Sequence, residues 1–219
     1  MTLTDRFIMQ LDLVTCDLNV PVCIIGAGGI GSVTALTLAK LGVTDITVYD
    51  DDKVEEHNLP NQIYREQDIG KLKVAAWYEI IRDFTGVRIK PAPRLWDASD
   101  EDYTEPVVLI SAVDNMLTRR KAFEAYAASG TVKVFMDGRM GANQIEVYAC
   151  TNETDNAQYK TVLWTDAETS PLPCTSKATM YTVLTIASFM ASLACRTLAG
   201  EEYRHKTIMD MFNLQLHGK

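Results

Sequence analysis

The apolar positions in the first half of the chain form short continuous runs separated by turn residues. From 20 to 52, VPVCIIGAGGIG passes into SVTALTLAKLG and then DITVYDDD, which reads as strand, glycine turn, helix and strand, with Gly42 stopping the helix. That is a βαβ unit. Beyond a polar loop reaching Arg65, helical periodicity runs from about Leu72 to Phe84, and VRIKPAP and PVVLISAV read as strands, with LWDASDEDYTE between them a turn or short helix. A helix at TRRKAFEAYAASG leads to strands at VKVFMDG and NQIEVYACT, close enough to form a hairpin-like pair. Residues 152–173 show no clear period and read as the most mobile loop. An uncharged helix follows over 178–195, and KTIMDMFNLQLH reads as one closing strand. Alternating strands and helices predict a single α/β domain over 1–219: a Rossmann-like, mostly parallel sheet with helices on both faces and a C-terminal antiparallel extension.

Length and charge narrow the function classes. At 219 residues and 47% apolar content the chain can bury one sizeable core. A net charge of −8 lacks the clustered Lys and Arg of a phosphate-backbone footprint, so no nucleic-acid partner is expected. The N-terminus has neither the basic start nor the long apolar stretch of a secretory signal, which predicts a cytoplasmic protein. Cys16, Cys23, Cys150, Cys174 and Cys195 are odd in number with no C-x-x-C pair, so neither a disulfide framework nor a zinc knuckle is indicated. Residues 178–195 carry no charge over 18 residues, the lower limit for a membrane span, but Thr, Ser, Ala and Cys fill about half of them. A helix buried in the core or between subunits is the expectation, with no membrane.

Gly26, Gly28 and Gly31 fit G-x-G-x-x-G after an apolar strand and at a helix start, where backbone N–H groups face a phosphate. Asp50 ends the next strand, 19 residues after Gly31, placed to accept hydrogen bonds from ribose hydroxyls. These features alone fit NAD, and an NAD-dependent oxidoreductase is one reading. A second cluster changes the balance: Asp50, Asp52, Asn58, Gln62, Arg65, Lys71 and Lys73 fall within 24 residues, enough to meet a ribose, a triphosphate and a metal. By composition the same stretch also reads as a solvated loop. Asp114 closes the apolar run VVLISAVD, at the strand end where a parallel sheet binds ligands, and Asp114 and Asn115 are equally good helix N-caps.

In order along the chain, GAGGIG, Asp50-Asp51-Asp52-Lys53-Val54, HNLPNQ over 57–62, Gly70-Lys71-Leu72-Lys73, the run from Asp114-Asn115 to Arg119, and Pro173-Cys174-Thr175 resemble the motif series of the ThiF/MoeB/HesA family, which includes the adenylation domains of ubiquitin-activating enzymes. The resemblance implies ATP-dependent adenylation of the C-terminal carboxylate of a ubiquitin-like or sulfur-carrier protein ending in Gly. It implies ATP and Mg²⁺, a nucleotide site of Gly26, Gly28, Gly29, Gly31, Asp50, Asp52, Asn58, Gln62, Lys73, Asp114 and Asn115, and Asp114 as the metal ligand. Asp114, Lys73, Arg65 and Cys174 would carry catalysis, although a Lys73 or Arg119 on a helix also reads as solvated.

Two positions depart from the family pattern: its usual arginine in the NLPNQ segment is Asn61, and the N-terminal arginine lent across family dimers falls on Met9. Arg65 and Lys71, or Arg6 across a dimer, would have to compensate. The family zinc site is also missing, so the metal expected is Mg²⁺ alone. Cys174 in SPLPCTSK resembles the segment around the thioester cysteine of ubiquitin-activating enzymes, ahead of a helix start that lowers a thiol pKa. The competing reading is a small packing residue, as for Cys23 and Cys195, and Cys16 and Cys150 have no argument for chemistry. A homodimer through the uncharged helix is expected. A non-catalytic scaffold homologue is the remaining alternative.

Overall fold

The structure, a computed structural model, describes residues 6–99, 106–163 and 178–218. Strands β1 (Val22–Ile25), β2 (Ile46–Tyr49), β3 (Lys90–Ala92), β4 (Val108–Ser111) and β5 (Val134–Gly141) run parallel. β6 (Gln144–Cys150), β7 (Lys206–Asp210) and β8 (Gln215–Gly218) continue the sheet antiparallel, in the order β3-β2-β1-β4-β5-β6-β7-β8. The expected Rossmann-like sheet with an antiparallel C-terminal extension is therefore what forms.

The central strands β1 and β4 are short, mostly apolar and fully buried because both their faces are covered. Along β1 and β4 the pleat sends Val22, Ile24, Val108 and Ile110 to one side and Cys23, Ile25 and Leu109 to the other. The first set packs with helices α1 (Gly29–Leu41), α2 (Lys73–Thr85) and α5 (Met180–Leu198), through Leu38, Trp77, Ile80, Ile186 and Met190. The second packs with α3 (Met116–Ala128) and α4 (Glu153–Lys160) through Phe123, Tyr126 and Tyr159. Helices thus lie on both faces, as the alternation of elements predicts.

Two expectations fail. Residues 152–173 were expected to be loop, yet 153–160 form α4, while 164–173 lie outside the described residues. Eight mostly polar residues are too few to display a 3.6 period. Asn152 supplies the start instead, its Oδ1 accepting from the Asp155 N–H at 3.0 Å, and Tyr159 seats the helix with its ring 5.0 Å from Phe123. The sequence signal was Asn152 followed three residues later by Asp155. The closing segment is also not one strand but the hairpin β7–β8, because Asp210 Oδ1 accepts from the N–H groups of Phe212 at 2.8 Å and Asn213 at 3.1 Å and bends the chain.

Helix α5 is long and apolar enough to cross a membrane by length and composition, and 44% of its apolar window is buried in the fold. Thr182, Val183, Ile186, Ala187 and Met190 face α1 and the sheet, while Tyr181, Leu184, Ser188 and Ser192 form an uncharged outward stripe.

Candidate nucleotide-binding site

Strand order reverses between β1 and β4, and the register Ile25↔Ser111 sets the loops leaving these two strands side by side. This is the crevice where doubly wound sheets receive ligands. The glycines explain how closely the loops approach. Gly26 has φ +97°, and a Cβ there would stand 2.7 Å from the Ala112 carbonyl oxygen; a Cβ on Gly31 would stand 1.9 Å from the Gly26 oxygen. Gly28 differs, since a Cβ there would meet nothing within 4 Å. It opens α1 without a side-chain cap, so the first N–H groups of the helix have no side-chain acceptor.

Asp50 fastens this loop. Its Oδ2 accepts from the Ala27 N–H at 2.7 Å and its Oδ1 from the Asp52 N–H at 2.9 Å, leaving further lone pairs for a ligand. Tyr64 donates to the Ala27 carbonyl at 2.5 Å. Burial, then the carboxylates of Asp50, Asp68 and Asp52, raise the Tyr64 pKa, which keeps it a neutral donor. Lys73 begins α2 with its N–H on the Asp52 carbonyl at 2.8 Å and its Nζ 2.6 Å from Asp52 Oδ2. Its side chain is 9% exposed, so it is not the solvated helix lysine that sequence also allowed.

Asn58 is buried and turns its own segment, its Oδ1 accepting from the Glu55 N–H at 2.9 Å. That turn delivers Asn61, whose carbonyl oxygen lies 2.9 Å from where a Gly29 Cβ would be, bringing the 57–62 segment against the glycine loop. The Gln62 Oε1 is buried without a hydrogen-bond partner among the described residues, an acceptor still lacking its donor. An open uncapped helix start, an orphaned acceptor and a buried ammonium fit a nucleotide and its phosphates.

On the other loop, Asn115 caps α3, accepting from the Thr118 N–H at 2.8 Å. Asp114 is exposed one residue earlier and stays out of the cap. Arg119 is buried, not solvated: it donates to the Val113 carbonyl, to the Gly138 carbonyl at 3.1 Å and to Asp137.

Arg65 and Lys71, two of the candidates to stand in for the family arginine, are ion-paired within the chain. The Asp68 carboxylate, fully buried, binds Arg65 Nε at 2.8 Å and Lys71 Nζ at 3.1 Å, and both cations also reach Glu79, at 3.2 and 2.9 Å. Both charges are engaged by carboxylates beside α2. Arg6 donates to the Thr85 carbonyl of its own chain, and Met9 is 91% exposed.

Burial alone would raise the Asp68 pKa, but hydrogen bonds from Arg65 and Lys71 hold it at about 2. Because that lies below the unfolded value of about 3.9, the stabilisation is complete above roughly pH 4 and is lost as pH falls toward about 2. Asp68→Asn is expected to cost about 1–3 kcal/mol at neutral pH. By urea unfolding the gap from wild type should close on acidification; a gap independent of pH would contradict this.

Cys23, Cys150 and Cys195 are poor nucleophiles. Burial pushes the thiols of Cys23 and Cys150 up, and burial with the neighbouring Cys16 pushes Cys195 up to about 12. Cys174 lies outside the described residues.

The chain is similar to "Adenylyltransferase and sulfurtransferase uba4" of Aspergillus niger, 35% identical over 105 residues, 45% of this chain and 21% of that protein. It is 49% identical over 59 residues to "Probable molybdopterin-synthase adenylyltransferase" of Gracilaria tenuistipitata var. liui, covering 26% of this chain and 17% of the relative. To the "SAMP-activating enzyme E1" of Haloferax volcanii it is 33% identical over 102 residues, 45% of this chain and 38% of the relative. The matches to the first two relatives thus span about a fifth of their lengths. Among solved structures, PaaA shares the fold with a TM-score of 0.77 at 18% identity, over 99% of this chain and 72% of that one. E. coli MccB crystallised with ATP gives 0.71 at 14% identity, over 97% and 66%. The ThiF family model matches residues 17–217, and the chain belongs to the ThiF family.

Proposed function

We propose that this chain adenylates the C-terminal carboxylate of a ubiquitin-like or sulfur-carrier protein ending in Gly, using Mg·ATP. The observation that carries the reading is the convergence of the glycine loop and the Asp114 loop on one crevice, with the 57–62 segment packed against the glycine loop, in a ThiF-family chain. The names of its adenylyltransferase and E1 relatives support the same chemistry.

In the reaction a carboxylate oxygen of the carrier bonds to the α-phosphorus of ATP, the bond to the bridging oxygen breaks, and pyrophosphate leaves with the electron pair. No protein nucleophile is required, so the residues act by holding two anions together and neutralising charge. Backbone N–H groups at the start of α1 face the phosphates, Asp50 takes the ribose, and the Asn58 amide nitrogen and Lys73 ammonium serve the phosphate side. Mg²⁺, held by Asp114, would supply further charge neutralisation. The Cys174 thiolate then attacks the acyl carbon of the adenylate, the bond from that carbon to the phosphate oxygen breaks, and AMP leaves with the electron pair, giving a thioester. A homodimer through the outward stripe of α5 is part of the reading, supported by the exposed Leu13, which lines the same depression as Ser188 and Ser192.

The test is pyrophosphate release with Mg·ATP and a panel of purified ubiquitin-fold carriers ending in Gly-Gly. Release should require the carrier and vanish when its last glycine is deleted. Cys174→Ala should keep release and lose a thiol-labile adduct on the chain. Release indifferent to every carrier would overturn the reading.

A further inference from the structure

Against the sheet face covered by α3 and α4 lies a charged cluster that the nucleotide site does not use. Asp137 on β5 has no exposed surface. One of its carboxylate oxygens accepts from Arg119 Nη1, and the other accepts from Arg139 Nε at 2.6 Å and from the Tyr159 hydroxyl at 2.9 Å. The two arginine side chains are 7% and 13% exposed. Desolvating two guanidiniums around one carboxylate is a poor route to stability, since apolar residues of similar volume commonly do as well. What the cluster supplies is orientation, because a guanidinium fork fixes direction where an ammonium supplies only charge.

Its outer hydrogen bonds reach two chain segments. Arg119 Nη2 donates to the carbonyl of Val113, the residue immediately before Asp114. Arg139 Nη1 donates to the Val162 carbonyl at 3.0 Å, just past the end of α4, and Arg120 beside it donates to Leu163 at 2.6 Å. One buried carboxylate thereby sets the peptide that carries Asp114 relative to the end of α4.

We propose that Asp137 is a positioning residue: acting through Arg119 and braced by Arg139, it orients the Asp114 loop for the metal of Mg·ATP. The inference rests on the nucleotide reading given above. Arg119→Lys keeps a cation beside Asp137 but cannot span Val113, Gly138 and Asp137 together, and Asp137→Asn keeps the shape while weakening both arginine contacts.

The experiment is calorimetric titration of the full chain with ATP in Mg²⁺ and in EDTA. Outer contacts of this kind are worth about 10–100-fold in metal affinity. Arg119→Lys should therefore lose about 10-fold or more of the affinity that Mg²⁺ adds, with ATP binding in EDTA held within about threefold. Asp137→Asn should shift in the same direction. Folded variants that keep the full wild-type Mg²⁺ increment would overturn the proposal, and loss of the fold in both would assign the cluster to stability and overturn it equally. A wild type that fails to bind Mg·ATP at all would instead bring down the nucleotide reading, and this inference with it.

Discussion

Asp137→Ala is expected to lower the unfolding free energy by about 3–5 kcal/mol, the usual cost of removing one partner from a buried ion pair. The carboxylate is fully buried between Arg119 and Arg139, and Tyr159 donates to it from α4. Truncation leaves two nearly buried guanidiniums facing each other without a counter-charge, together with a buried hydroxyl short of its acceptor. Burial pulls the Arg139 pKa down, yet the Asp137 charge and the Tyr159 contacts raise it above its ordinary value. Water must then enter or α4 must move. Urea unfolding of the two proteins measures the difference directly, and a change under about 1 kcal/mol, the level of an exposed pair, would show the cluster to be solvated.

The second large effect separates two glycines of one loop. Gly31→Ala would drive a Cβ to 1.9 Å from the Gly26 carbonyl, a backbone clash that no side-chain rotation relieves. It should cost roughly 1–3 kcal/mol or more and displace the start of α1 from the loop, abolishing nucleotide binding. Gly28→Ala meets nothing within 4 Å and has φ −71°, so the fold should tolerate it within about 0.5 kcal/mol. Its new methyl group would occupy the space assigned to the phosphates and weaken Mg·ATP binding at least about tenfold, since an ångström of misplacement is worth up to about 100-fold. Melting and calorimetric titration of the pair test both halves. A Gly28→Ala protein that binds Mg·ATP like wild type would place the nucleotide elsewhere.

Much of this was legible in the sequence because its causes are local. Short, mostly apolar runs such as VCII and VLIS can be nothing but doubly covered strands in this context, and the glycine spacing states where the backbone must come close. The uncharged run 178–195, most of which lies in helix α5, was visible for the same reason. Helix α4 was missed because its stability comes from one cap and from Tyr159 packing against rings brought from elsewhere in the chain. The roles of the charged residues were the hardest to read. Arg119 and Asp137 are 18 positions apart, and Arg139 and Val162 are 23 apart, separations that carry no period. The engagement of Arg65 and Lys71 could have been suspected, since Asp68 stands three residues from each. Competition between that carboxylate and a phosphate is a matter of geometry, which spacing alone does not reveal.

The most direct test of the account is thermal unfolding of the wild type and of Asp114→Ala with Mg·ATP, with ATP in EDTA, and with NAD⁺. At a hundred times its dissociation constant a ligand contributes about 2.7 kcal/mol, or roughly 5–10 °C for a chain of this size. The account predicts such a rise with Mg·ATP, its near loss in Asp114→Ala, and none with NAD⁺; a rise with NAD⁺, or none with any nucleotide, would contradict it.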